Sequence, residues 1–311
     1  MKKIFSNSYL LAVIACMLWS TAFVGIKLGI HYTTPLNFAG TRFIISGLMV
    51  LPFAGKISDG FRNIKNNLSY VLLVGLFQTF LLYALFYIGI NLAPASLTAI
   101  IVGGGPLFVA LLAHFTIHDD KLTMKKALSI LTGISGIIII AADKYNVGWE
   151  KGKEFWGLMI LVLANIAGSY GNILVSKGGK SIKPLTLNSA QQISGGIGIL
   201  LLSFIAEDHT FGIKPTAYYI SLFYLGFLSA AAFSIWFVLL KRPGIKVSEI
   251  NIWKFLIPVF GAILSWVILP DEKPELIHVI GMLLIAVSLI LLNYNRGCKY
   301  FSGKESKTLP V

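Results

Sequence analysis

Lys254 sits inside "VSEINIWKFLIPVFGAILSWVI", a run that is otherwise almost entirely apolar. It lies about eight residues, roughly 12 Å, along a helix starting near residue 247, and shares a face with Pro258. An ammonium group at that depth in hydrocarbon is unfavourable by about 2.5 kcal/mol or more, and such groups face a bundle interior or a watery cavity. A lysine there offers a point charge to a carboxylate or phosphate on a small metabolite, so Lys254 is the first candidate for substrate binding. Its other use would be an ion pair with Glu249. Five residues of helix separate the two by about 140°, which strains a direct contact. Lys27 and Arg42 are the remaining cations within apolar runs. Lys27 stands near the outer end of its run, where a long stem reaches the interface. Arg42 lies about ten residues into the next, where packing against a neighbouring helix competes with substrate contact. Lys27, Arg42 and Glu249 are therefore candidate charge partners.

Polar and aromatic residues recur at helical spacing on other runs. Phe80, Tyr83, Tyr87 and Asn91 form one stripe, and Asn165, Ser169, Asn172 and Ser176 another. Ser229, Phe233 and Trp236 share a face, Asn188, Gln191 and Gln192 cluster, and Trp19 and Ser20 interrupt "ACMLWSTAFVGIKLG". Such stripes face away from lipid and either line a cavity or bond one helix to the next. Trp19, Ser20, Tyr83, Tyr87, Asn165, Ser169, Asn172, Gln191 and Trp236 join Lys254 as candidate substrate contacts. The "GGG" before Pro106 has no following Lys-Ser/Thr and is no phosphate loop. Gly105, Pro106 and Pro258 are candidate hinge positions. No run carries a central Asp or Glu, the five histidines are scattered, and no nucleophile or nucleotide motif occurs. The expectation is no catalysis, no metal and no cofactor.

The elements that hold these residues follow from composition. The chain has 311 residues, 56% hydrophobic and 13% charged, with a mean hydropathy of +0.79. Soluble domains carry about a quarter charged residues, whereas these apolar runs approach the roughly 20 residues that cross a bilayer. Ten helices are expected, near 8–30, 35–54, 68–91, 94–116, 125–142, 154–177, 184–206, 216–240, 247–269 and 276–294. The N-terminal apolar run is too long for a cleaved signal. Of 26 Lys and Arg, 18 fall on one side of this topology, five on the other and three within helices. That asymmetry puts both termini in the cytoplasm. It also explains the net charge of +13 without a nucleic-acid partner.

The chain repeats itself. "ASLTAIIVGGGPLFVALLAHFTIHDDKL" (95–122) lies over "VSEINIWKFLIPVFGAILSWVILPDEKP" (247–274) without a gap, matching Pro106 with Pro258 and Ser96 with Ser248. "TPLNFAGTRFIISG" (34–47) lies over "KPLTLNSAQQISGG" (183–196). Five helices per repeat force the second copy to enter the membrane inverted. The expected fold class is an all-α membrane protein of two inverted five-helix repeats, at 1–144 and 154–296, with a linker at 145–153 and a cytoplasmic tail at 297–311.

"LWSTAFVGIKLG", "PLNFAGTRFIISG" and "PASLTAIIVGGGPLFVALLA" leading to "HDDKLTMKKALSILTGISGIIII", with the second-half counterparts, resemble the EamA-like branch of the drug/metabolite transporter superfamily. Family members carry Glu where Asp120 stands and commonly Gly where Ser20 stands; neither departure disturbs the fold. The resemblance implies a substrate cavity between the halves and transport of small metabolites, often amino-acid export, across the inner membrane. Alternating access by a secondary transporter is the expected mode, with a small-molecule substrate and the bilayer as partners; a monomer is compatible with it. Import or exchange of phosphorylated or nucleotide-derived metabolites fits Lys254 nearly as well. An intramembrane scaffold or enzyme is the non-transport alternative.

Overall fold

The structure is a computed structural model and describes residues 7–92, 101–142, 153–178, 182–208, 212–268 and 276–301. Among the described residues there are helices and no strands. An apolar run with no water to bond its backbone closes each N–H on its own chain, and the helix is the form that does so. In order they are α1 (Ser8–Ser20), α2 (Ala22–Ile30), α3 (Pro35–Val50), α4 (Ile57–Asn66), α5 (Leu68–Gly75) and α6 (Leu82–Leu92). There follow α7 (Gly105–Thr116), α8 (Met124–Ala142), α9 (Lys153–Lys177), α10 (Pro184–Ala206) and α11 (Thr216–Leu240). The last are α12 (Val247–Ile252), α13 (Leu256–Ile268) and α14 (Leu276–Phe301). Among the described residues, five stretches are long and apolar enough to cross a membrane: Pro35–Phe53, Leu68–Ile90, Phe155–Lys177, Pro184–Ala206 and Thr216–Leu240. Ser8–Ser20, Ile101–Thr116 and Val279–Leu291 are shorter apolar helices. The chain is an all-α membrane protein.

Several expected helices are interrupted, each for a local reason. The first breaks at Thr21, where the Ser20 and Thr21 hydroxyls donate to the carbonyls of Met17 and Leu18, both at 2.7 Å. Hydroxyl groups that bond back along the chain compete with the helical ladder. The expected helix at 94–116 has a turn at Gly104, closed by Gly104 N–H to the Ile101 carbonyl at 3.1 Å; 94–100 lie outside the described residues. The expected helix at 247–269 breaks into a 3₁₀ turn at Trp253–Phe255 between α12 and α13. Both breaks come just before Pro106 and Pro258, the prolines that the repeat brings into register. A proline has no N–H for the carbonyl four residues earlier, so Val102 and Lys254 each lose a ladder bond. A π-helical turn, Leu76–Leu81, joins α5 to α6. α4 was not among the expected elements. Its signal was Ile57, Phe61 and Ile64 at i, i+4 and i+7, and Ile64 packs on the main core.

Packing between helices relies on small residues. A Cβ on Gly40 of α3 would stand 2.7 Å from the Leu200 backbone nitrogen of α10, and one on Gly47 2.8 Å from the Ser189 carbonyl. The sequence overlay pairs Gly40 with Ser189 and Gly47 with Gly196. Gly40 lies against Gly196 and Gly47 against Ser189, so each meets the counterpart of the other. The same reciprocity joins α8 to α14. Continued along the chain, the other overlay pairs Ser129 with Gly281 and Gly136 with Ser288. The hydroxyls of Ser129 and Ser288 donate to each other's carbonyls at 2.6 Å, and Gly136 faces the Gly281 carbonyl. In both pairs of helices, positions that the overlay matches exchange partners. Gly40→Ala is expected to lower stability by about 1–3 kcal/mol through overpacking against a backbone that has no room to yield. Thermal unfolding in detergent measures it as a lower Tm.

Candidate functional site: a cation over an aromatic cage

The break at Trp253–Phe255 sets the direction of Lys254. Its Nζ lies 4.7 Å from the ring centroid of Trp236 on α11 and 5.5 Å from that of Trp19 on α1. Cations over indole faces are attracted by the ring quadrupole. No carboxylate among the described residues pairs with Lys254, which is half-buried. Glu249 lies 4.0 Å from Lys246 instead, as the helical offset anticipates. The thiol of Cys16 donates to the Trp253 carbonyl at 3.3 Å, which fastens the break to α1.

Rings extend the cage across the bundle. Trp19 meets Trp236 edge-on at 5.1 Å and Phe233 at 5.4 Å. Phe233 lies 6.4 Å from both Phe43 of α3 and Tyr83 of α6, which are 4.4 Å from each other. Beyond them Arg42 rests its guanidinium carbon 4.5 Å over Phe43 and 5.5 Å from Tyr83. Two cations therefore stand at either end of one aromatic wall.

The polar stripes divide between this wall and its supports. Trp236 is fully buried, and its indole N–H donates to the Asn172 side-chain oxygen at 2.9 Å. The Asn172 amide in turn donates to the Gly168 carbonyl at 3.0 Å. Asn172 thus fixes the ring beneath Lys254. Asn165 donates to the Ile101 carbonyl at 2.5 Å, beside the turn at Gly104, and so ties α9 to the broken helix. Ser169 is buried on the same helix face, between those two supports. Gln191 accepts from Thr79 of the π-helical turn at 2.5 Å, bonding α10 to the turn between α5 and α6, and donates to Asn188 of its own helix at 3.1 Å. Ser20 is buried with its hydroxyl on the Met17 carbonyl. Tyr87 is buried with no partner for its hydroxyl. The side chains of Lys27 and Pro258 lie outside the described residues, whereas Gly105 and Pro106 open α7 immediately after its turn. Asn172→Leu, which leaves the buried Trp236 N–H without an acceptor, is expected to destabilise by about 1–3 kcal/mol. Thermal unfolding followed by tryptophan emission reads both the lower Tm and the displaced ring.

Two features escaped sequence reasoning. Phe43 follows Arg42 directly and joins the wall through Tyr83 and Phe233, contacts across helices that no spacing rule encodes. Asp120, matched with Glu272 in the repeat, is 2% exposed and accepts from Lys126 Nζ at 2.5 Å. It also accepts from the Ser248 hydroxyl and, at 2.9 Å, from the Ser248 backbone N–H at the start of α12. This network anchors α12, the short helix that runs into the turn carrying Lys254.

The sequence profile of the EamA-like transporter family matches residues 6–142 and again 155–294. An uncharacterized transporter of Bacillus subtilis, YvbV, is 26% identical over 93% of this chain and 92% of its own length. A protein of Escherichia coli named a probable amino-acid metabolite efflux pump is 26% identical over 90% of this chain and 93% of its own. A solved crystal structure superposes with a TM-score of 0.79 at 16% identity, covering 93% of this chain and 97% of its own, which shows a shared fold. With two profile matches that together span nearly the whole sequence, the chain belongs to the EamA-like transporter family.

Proposed function

We propose that the protein is a secondary transporter that carries a small anionic or zwitterionic metabolite, an amino acid in the first instance, out of the cell by alternating access. The observation that carries this reading is Lys254, a half-buried cation on a broken helix, held over Trp19 and Trp236 with no described carboxylate beside it. The name of the Escherichia coli relative supports the amino-acid class.

In this reading the chain spans the inner membrane ten times with both termini cytoplasmic, as two inverted repeats at 1–144 and 154–296. The exchanged partners of Gly40 with Gly47, and of Ser129 with Gly136, support such a two-fold plan. Lys254 takes the negative group of the substrate, and Trp19, Trp236 and Tyr83 line the chamber. Asn165, Asn172 and Gln191 hold that lining in place. Backbone broken at Gly104 and at Trp253–Phe255, ahead of Pro106 and Pro258, supplies the hinges. Counterflow in proteoliposomes tests it. Vesicles loaded with a mixture of amino acids are expected to exchange at least one labelled amino acid faster than protein-free vesicles, and saturably. Equal, non-saturating leak in both for amino acids and for phosphorylated metabolites would count against transport.

A further inference from the structure

Arg42 is 3% exposed, and its Nε is fully buried without a hydrogen-bond partner. No described residue hydrogen-bonds to its guanidinium or supplies it with a carboxylate. The buried and half-buried acids of the described segments are committed elsewhere: Asp120 to Lys126 and Ser248, Glu207 to the Leu36 and Asn37 N–H groups and Ser203, and Glu249 to Lys246. An arginine does not shed its proton to escape such a position, unlike a lysine or a histidine. Its contacts with Phe43 and Tyr83 offset part of the lost hydration, but ring faces are weaker partners than a buried guanidinium requires.

Two hydroxyls beside it are equally unsatisfied. Ser46 stands one turn further along α3, fully buried, with no partner for its Oγ. Tyr87, one turn beyond Tyr83 on α6, is 1% exposed with an unpartnered hydroxyl, within electrostatic range of the Arg42 charge. A buried cation and two buried O–H donors, all lacking acceptors, complement an anion.

We propose that Arg42, Tyr87 and Ser46 form an anion subsite, separate from Lys254 and at the far end of the aromatic wall, for a carboxylate, phosphate or inorganic anion. It deepens the transporter reading and rests on it where the anion is a second acidic group of the substrate; a bound inorganic anion would neutralise Arg42 in the same way. A one-carboxylate substrate then engages one end of the wall, and a diacid engages both.

Thermal unfolding of the full-length protein in detergent, at constant ionic strength made up with bulky gluconate, tests this with sodium chloride, acetate, phosphate and succinate. The wild type is expected to gain Tm saturably with at least one of them. The half-effect concentration is expected to rise at least tenfold in Arg42→Gln and severalfold in Tyr87→Phe, a milder change that keeps the fold. Succinate acting at tenfold or lower concentration than acetate, with that advantage lost in both Arg42→Gln and Lys254→Gln, identifies a second acidic group on the substrate. Chloride acting alone, through Arg42 only, identifies an inorganic anion. Tyr87→Phe and Arg42→Gln responding like the wild type overturns the subsite. A response lost in Lys254→Gln and kept in Arg42→Gln also overturns it while leaving Lys254 as the substrate anchor.

Discussion

Lys254→Gln is expected to weaken substrate binding about tenfold to a hundredfold, with little change in the stability of the empty protein. A hydrogen bond to a charged group contributes about 1.5–3 kcal/mol, and each 1.4 kcal/mol is a factor of ten. The quiet effect on stability is the unusual part. A lysine that held the fold through an ion pair would leave a buried carboxylate behind when removed, at a cost of about 3–5 kcal/mol. Lys254 has no such partner among the described residues. Its removal gives up about 0.5–2 kcal/mol of cation–π attraction and relieves a partly desolvated charge, so the two changes nearly cancel. Lys254→Arg keeps the charge and the stacking but moves the donors, so partial affinity is expected. Transport KM and detergent Tm, measured on the same three preparations, separate the two effects.

Asp120→Asn is expected to act in the opposite way, costing about 3–5 kcal/mol because Lys126 is left buried without its counter-charge. The double variant Asp120→Asn/Lys126→Met should recover a large part of that loss, since no charge then remains unpaired. Burial alone would raise the Asp120 carboxyl; hydrogen bonds from Lys126 and Ser248, with the Lys126 charge, outweigh it and hold the group below its ordinary value of 3.8. The folded value is the lower one, so this stabilisation is complete above about pH 4 and disappears as the pH falls beneath it toward the depressed folded value. Acid unfolding of the wild type should therefore show a loss below pH 4 that the double variant lacks. Because Asp120 accepts from Ser248 at the start of α12, the single variant is also expected to loosen Lys254 and to weaken transport beyond its effect on stability.

Much of the scaffold was legible in the sequence, because length and apolarity alone determine a span. Pro184–Ala206 and Thr216–Leu240 begin and end where the runs do, with Pro184 opening one helix and Pro215 preceding the other. The interruptions were harder to read. A run such as 247–269 keeps its apolar period straight through a break, and only the missing proline N–H reports it. Lys254 and Trp236 were legible as a buried charge and an aromatic on a polar face, but their contact depends on how α11 packs beside α12. Asn172 and Gln191 show the reverse problem. Sequence marks them as polar residues that avoid lipid, and only their partners, Trp236 and Thr79, show that Asn172 holds the wall and that Gln191 bonds α10 to the turn between α5 and α6. For Arg42 the sequence left packing and substrate contact in balance; the absence of any described acceptor around its buried Nε supports contact with an anion.

The most direct measurement is a thermal-shift screen of the purified protein against amino acids, nucleotides and phosphorylated metabolites, with Lys254→Ala in parallel. A ligand that binds only the folded state raises its stability by about 2.7 kcal/mol at a hundred times its Kd. Substrate binding at Lys254 predicts an anion-bearing compound that raises the Tm of the wild type and leaves Lys254→Ala unmoved. The same compound stabilising both proteins equally would contradict it, and would return Lys254 to a purely structural place beside Trp19 and Trp236.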